Sequence, residues 1–599
     1  MKEKNTSILM NTVICQPDDS WVVFNNKGEI LKKGNDINAY CDRLFSNHSC
    51  HINKVGETNQ FSNGRYAIAF LKGTYDLNLT VGYYTSILGL AQKPEEVVIN
   101  GKVQVPNSCQ GHALDNFWRS CEGLQINVSG DRRNYWRVSQ AAPFRRNIVN
   151  GTLVLGESTP EETGYASGGY IGECAINKVD GLHGDIDFGT QQQFYLGNSS
   201  FSKITGGSWN FLFAGTTSEP IHSQNTQYGR KLNTVSGPLE KIAGKPYLKA
   251  NSSTDFELVI PKVSTCSEGI LSYDDEDIIQ TKNFTIIDPT IGIDDVNEYL
   301  SKGISIVFSP GIYYHAKPVV LPKNDTVLLG LGFATIIPTQ GTEAVIVTGI
   351  GCRVAGIMVQ AGAKPAYVSA SPSLIRIGSN DAGPNGDVEN PSILQDVFSR
   401  VGGPDMVGEC NTMLLINQDF TILDNTWSWR ADHTDYIRDG LGIDKALVDH
   451  CVVVNGDFVS AYCLMIEHSL KELCVWNGNS GKVYFIQSEL AYDVGDYETP
   501  WNYPGLRING SNFYGTNLGF YSFFSKKHNA NKNFPNVRSA VVSQPDSTID
   551  SAMILLLDPK NGAGIISNVI NDQGQEASLL NPGTPSWCSQ IPDEANPND

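Results

Sequence analysis

The chain has 599 residues, 40% apolar and only 18% charged, with a formal net charge of −19. That length exceeds what one compact core organises, so at least two domains are expected, and the apolar share excludes a disordered chain. The acidic balance repels phosphate backbones and argues against nucleic acid as a partner, and no apolar run approaches the roughly 20 residues that span a bilayer.

At the N-terminus, "MKEKNTSILMNTVICQPDDS" starts basic but holds only a broken apolar patch, a poor match to a signal peptide. "GNDINAYCDRLF" (34–45) predicts a short helix with an aspartate in its first turn. Residues 64–90, "GRYAIAFLKGTYDLNLTVGYYTSILGL", then begin a series of short apolar strands punctuated by Asn and Gly. Among them are "NIVNGTLVLGE", "GGYIGECAI", "QQQFYLGNSSF" and "SWNFLFAGT". The densest basic stretch, "WRVSQAAPFRRN" (136–147), reads equally well as a solvated rim or as a binding element.

The same order then recurs. "GIDDVNEYLSKG" (292–303) parallels the first helix, and "GISIVFSPGIYYHAKPVVLPKNDTVLLGL" (303–331) parallels 64–90. Phe70, Gly73 and Tyr75 match Phe308, Gly311 and Tyr313, while Gly89 and Leu90 match Gly330 and Leu331. The chain therefore reads as two copies of one architecture, domains 1–270 and 271–560, followed by a polar tail over 561–599. Short strands repeating every ~20–30 residues with few helices between them favour parallel β-solenoids over a sandwich or a propeller. The helices would cap the solenoids.

Thirteen cysteines include no CxxC pair, so a structural zinc site is not expected. Cys41/Cys50 and Cys109/Cys121 are close enough in sequence for disulfides, and buried thiols are an equal reading. Sequons at Asn78, Asn127, Asn150, Asn198, Asn251 and Asn324 lend weak support to secretion.

Three successive strands of the second copy end in charge: "TWSWRADH" (426–433), "LMIEHSL" (464–470) and "YFIQSELAYD" (484–493). In a solenoid, equivalent positions stack about 4.8 Å apart. Asp432, Glu467 and Glu489 would then form one carboxylate column, in which like charges raise at least one pKa. A protonated carboxyl beside an ionised one is the acid–base pair that glycosidic hydrolysis requires. Trp427, Trp429, Trp476, Tyr492 and Trp501 offer apolar faces to sugar C–H surfaces. Strand-end carboxylates in solvated turns and tryptophans filling a core are the bland alternatives. His433 and His468 lack a third ligand at metal spacing, so no metal and no cofactor is implied.

Residues 303–338 and 426–504 resemble the tandem β-helix β-1,3-glucanases of glycoside hydrolase family 55, the laminarinases. The family's Ala-Asp-His, Ile/Val-Glu, Tyr-Gln and Glu-Thr-Pro stretches have counterparts in "WRADH", "LMIEH", "YFIQSE" and "ETPW". The resemblance implies an all-β fold of two tandem right-handed parallel β-helices of the pectate-lyase-like kind, with short capping helices. It also implies an extracellular, polysaccharide-degrading enzyme. One departure stands out: the family's Ser-Glu-His, whose glutamate resembles the proton donor, has no counterpart in "NGNSGKVYF" (477–485).

The expected function is an inverting glycoside hydrolase acting on a β-glucan-like polysaccharide or oligosaccharide. Glu489 is the expected acid, and Glu467, helped by Asp432, the activator of water. Arg430, His433 and Asp493 join the aromatics as substrate-binding residues. By analogy with the family's cleft, the first copy would contribute Trp118, Arg119, Glu122, Gln140 and Gln192. The alternatives are a non-catalytic glycan-binding or structural β-helix, such as an adhesin or coat component, and a polysaccharide lyase.

Overall fold

A computed structural model describes residues 9–45, 60–107, 111–156, 164–179, 181, 184–218, 233–362, 370–380, 385–404, 407–434, 446–496 and 498–592. The chain divides into two compact units. Unit 1 comprises residues 1–313, 325–336 and 353–358, and unit 2 comprises 314–324, 337–352 and 359–599.

Unit 1 is built from short strands stacked coil upon coil. On one face lie β1 (Tyr66–Phe70), β2 (Thr85–Gly89), β3 (Arg119–Glu122), β4 (Phe144–Arg145), β5 (Tyr170–Gly172), β6 (Gln193–Gly197) and β7 (Asn210–Ala214), all parallel and in register. Inward-facing Ile, Val, Leu and Phe side chains fill the core between the faces. On a second parallel sheet Asn177, Asn150, Asn127 and Asn100, in register on successive strands, each donate a side-chain amide to the preceding rung, ending on Asp76. The sequon residues Asn127 and Asn150 are thus rungs of an amide ladder. The expected helices form at α1 (Ile37–Phe45) and α2 (Ile293–Ser301). Asp294 and Asp295 lie in the first turn of α2. Asp36 instead precedes α1, where its carboxylate accepts from the Ala39 N–H at 2.8 Å.

The internal repeat has a physical basis. Tyr75 donates its hydroxyl to the Leu71 carbonyl at 2.8 Å, and Tyr313 donates to that of Ser309 at 2.7 Å. Phe70 and Phe308 pack on those rings with centroids 4.9 and 4.5 Å apart. Gly89 and Gly330 are required by close approach: a Cβ there would lie 2.0 Å from the Gly123 oxygen and 2.6 Å from the Gly356 oxygen.

In unit 2 the site-bearing face runs through β8 (Ile393–Val401), β9 (Ile422–Arg430), β10 (Ser460–Glu467), β11 (Lys482–Glu489), β12 (Tyr514–Ser522) and β13 (Thr548–Leu556), parallel throughout. A second parallel sheet of eight short strands completes the coils. Here the corners carry an amide ladder, Asn509 to Asn477 to Asn455 to Asn417, each step 2.8 Å. The C-terminal segment adds the strand Ser586–Gln590, antiparallel to β13. Cys41 and Cys121 are buried thiols, with burial pushing Cys41 up to about 12. Their proposed partners Cys50 and Cys109 lie outside the described residues.

Candidate active site

Parallel, in-register stacking converts sequence position into geometry. Trp429, Glu467, Glu489 and Tyr521 occupy one rung column on β9 to β12. Two residues earlier, Trp427, Met465, Gln487 and Gly519 form the next column on the same face. Neighbouring rungs therefore place Glu467 and Glu489 on backbones roughly 4.8 Å apart.

Asp432 is not in that column. Trp429 takes its rung, because β9 ends at Arg430 and Asp432 lies in the turn beyond. The turn still delivers its carboxylate to the site: Asp432 Oδ1 lies 3.0 Å from His433 Nδ1 and 3.8 Å from His468 Nε2. His468, in the left-handed region with φ +68°, turns its ring back so that Nε2 is also 4.0 Å from Glu489 Oε2. Asp432 and Glu489 thus both face the buried imidazole of His468.

The two glutamates have separate hydrogen-bond partners. Glu467 is drawn back toward β11, where Gln487 Nε2 donates to its Oε1 at 2.6 Å. Glu489 is drawn forward into the turn, where the Tyr492 hydroxyl donates to its Oε2.

The electrostatics follow from burial and like charge. Burial pushes Glu467 well above the usual carboxylate range, the Glu489 charge adds to it, and hydrogen bonding from Gln487 and Trp427 opposes it. Burial raises Glu489 to about 7, Asp432 adding and the Tyr492 hydroxyl opposing. Burial works against Asp432 as well, but the charge and hydrogen bond of His433, with His468, outweigh it and hold this carboxyl well below its ordinary value. Burial also lowers His468, which favours its neutral form.

The remaining expected residues divide by what they touch. Trp427 and Trp429, on alternate positions of β9, stack with centroids 4.9 Å apart and are buried. Arg430 and Asp493 grip each other through both carboxylate oxygens at 3.0 and 2.9 Å. Trp501 donates its indole N–H to the Leu470 carbonyl at 2.8 Å. Trp476 belongs to the other sheet and packs edge-on against Phe513 in the core, apart from the carboxylates. Residues 477–481, where the resemblance found no carboxylate, connect the strand Cys474–Trp476 to β11, whose far end supplies Ser488 and Glu489.

Within unit 1, Trp118 is buried, and Arg119 is buried over the Tyr83 ring with Nη1 on the Val81 carbonyl. Glu122 pairs with Lys245 at 2.7 Å. The buried Gln140 accepts from the Ser167 hydroxyl at 2.8 Å. Gln192 is half-buried beside Gln191 and Gln193, whose amides bind backbone carbonyls. Gln487, present in the matched stretch "YFIQSE", and Tyr521 are not among the site residues expected from the sequence. Period-two spacing from Glu489 marks the first, and the second becomes visible only once the register of β12 is known.

Three comparisons bear on this arrangement. Residues 284–489 match the model of the LAM55 pectate lyase-like domain. The chain is 36% identical over 562 residues to an exo-β-1,3-glucanase of Streptomyces sp. (strain SirexAA-E / ActE), covering 91% of this chain and 85% of that protein. The solved structure of sacteLam55A from Streptomyces sp. SirexAA-E aligns with a TM-score of 0.82 at 31% identity, over 97% of this chain and 98% of that one. A glutamate-to-alanine variant of that enzyme, in complex with glucose, aligns equally well.

Proposed function

This chain belongs to the Lam55 β-1,3-glucanases, glycoside hydrolase family 55, and from that premise we propose that it hydrolyses β-1,3-glucan with Glu489 as general acid and Glu467 as general base. The observation that carries the assignment is the in-register pair at the ends of β10 and β11, with a raised pKa on both members.

Two charges this close favour a single shared proton. We assign Glu489 as its holder in the reaction, because the amide N–H of Gln487 donates to Glu467 Oε1 and supports that partner as the ionised base. Glu489 then protonates the glycosidic oxygen as the bond breaks. Glu467 takes the proton of a water that attacks the anomeric carbon from the other side. Asp432 stays ionised, and its charge keeps the proton on the glutamates at neutral pH.

An inverting pair needs carboxyls about 6.5–9.5 Å apart. Backbones on adjacent rungs are closer than that, so this reading requires the two side chains to diverge, and their separate partners, Gln487 and Tyr492, support it. A polymeric substrate supports a reaction outside the cell.

The test is release of reducing sugar from a soluble β-1,3-glucan, with wild type beside Glu467→Gln and Glu489→Gln. Proton NMR of the first-formed product should show the α-anomer. A β-anomer would sink the inverting assignment, and full activity in either variant would sink the acid–base assignment. A rise in absorbance from unsaturated products on uronate polymers would favour the lyase alternative instead.

A further inference from the structure

We propose that the buried Arg430–Asp493 ion pair, expected from the sequence to bind substrate, is instead a positioning device for the general acid. It fixes the turn after β11 so that Tyr492 reaches Glu489. This rests on the hydrolase reading above and adds to it the part of the machinery that sets the acid's pKa.

Arg430 is fully buried and its guanidinium is occupied. Nε donates to the Ala446 carbonyl at 2.6 Å, Nη1 to the His468 carbonyl at 3.2 Å and to Asp493 Oδ1, and Nη2 to Asp493 Oδ2. A planar fork satisfied in this way has little left to offer a sugar hydroxyl. One side chain instead ties together the end of β9, the turn after β10 and the turn after β11. Asp493 is the residue next to Tyr492. Burial works against its charge, but Arg430 outweighs burial and holds it ionised.

Tyr492 itself is clamped. Its ring meets His468 edge-on at 4.4 Å and Phe523 at 4.8 Å, and its carbonyl accepts from Ser525 N–H at 3.0 Å and Asn529 Nδ2 at 3.1 Å. The contacts from Phe523, Ser525 and Asn529 come from the later coil. From the earlier coils the restraint comes from the His468 ring and from the Arg430–Asp493 pair.

The proposal predicts a sign. Around Glu489 stand Tyr492 on its own turn, Glu467 and His468 from β10, Asp432 and His433 from the turn after β9, and Tyr521 from β12. Around Asp493 stand Arg430, His468 and His528. The Tyr492 hydroxyl stabilises ionised Glu489, so losing it raises the acid's pKa and moves the basic limb of kcat/KM to higher pH. Removing the Asp493 charge alone does the opposite, because it relieves repulsion on Glu489.

The experiment is the pH profile of β-1,3-glucan hydrolysis for wild type, Tyr492→Phe, Asp493→Asn and the double variant. Tyr492→Phe should move the basic limb up by about one pH unit, the worth of one charge-assisted hydrogen bond. Asp493→Asn should move it up by about half a unit or more and lower kcat about tenfold, with KM within about twofold. In the double variant Asp493→Asn should add no upward shift. A folded Asp493→Asn whose limb stays or moves down overturns the proposal, and so does an upward shift that survives in full without the Tyr492 hydroxyl.

Should Asp493→Asn fail to fold, Arg430→Lys, which keeps the charge and loses the fork, must show a smaller shift in the same direction. Wild-type turnover decides the hydrolase reading separately. The pH dependence of the thermal midpoint reports the same Glu489 titration without any turnover.

Discussion

Both units stack charged residues at the ends of successive parallel strands, and they resolve the charge in opposite ways. In unit 1, Glu122 and Arg145 share a rung column at the ends of β3 and β4. Glu122 is neutralised by Lys245 at 2.7 Å, and Arg145 by Glu173 at 3.0 Å, with the Tyr273 hydroxyl also on Glu173. Arg146 stacks over the Tyr247 ring at 3.7 Å. In unit 2, the column places Glu467 beside Glu489, and the nearby Arg430 is committed to Asp493. The same coil geometry therefore yields a satisfied, structural column in one unit and a frustrated, protonatable one in the other. The proposed acid–base pair lies where the like charges were left facing each other.

The comparison is sharpened most by Glu489→Gln. Turnover should fall about a thousandfold, as for loss of a general acid. Thermal stability should hold or rise, because a buried group no longer has to ionise. A drop in the unfolding midpoint would break the contrast between the units.

Next in size, Glu173→Gln leaves Arg145 buried without its charge partner and should cost about 3–5 kcal/mol in denaturant unfolding, with turnover per folded molecule retained. A loss below about 1 kcal/mol would show that the unit 1 column is no more satisfied than the other.

The pH dependence of stability comes third. Glu489 is raised in the folded state, so its contribution is fully present below the unfolded value of ~4.3 and is lost as pH rises through about 7. Glu467 acts in the same sense. Asp432 is depressed, and its contribution is present above ~3.9 and lost as pH falls below that value. The thermal midpoint should therefore decline from about pH 4.5 to about pH 7, and Glu489→Gln should flatten that decline.

The smallest effect belongs to what the units share. Asn477→Ala in unit 2 and Asn127→Ala in unit 1 each remove one rung of an amide ladder. Each should cost about 1 kcal/mol by denaturant titration, without a difference between the units.

The solenoid was legible because its rule is local. Short apolar strands with Asn and Gly at corners can stack only in register, and the Phe, Gly and Tyr positions of the repeat reappear as a hydroxyl-to-carbonyl bond and a forced glycine. Glu467 and Glu489 were legible for the same reason: each closes an apolar strand, so equal phase along the strand became equal position on the face. Asp432 was placed in their column because the length of β9 cannot be read from its letters. The strand stops at Arg430, and a turn carries Asp432 the remaining distance.

By itself, the sequence determined the all-β class, the recurrence of the strand pattern, and the equal phase of Glu467 and Glu489, since all three depend on periodicity along the strands. Only the tertiary structure decided which charges would be answered. Arg430 finds Asp493 across 63 positions, and Lys245 finds Glu122 across 123. No local pattern encodes pairings over such distances. They arise when coils stack and turns converge, and burial then raises the carboxylates that no cation answers.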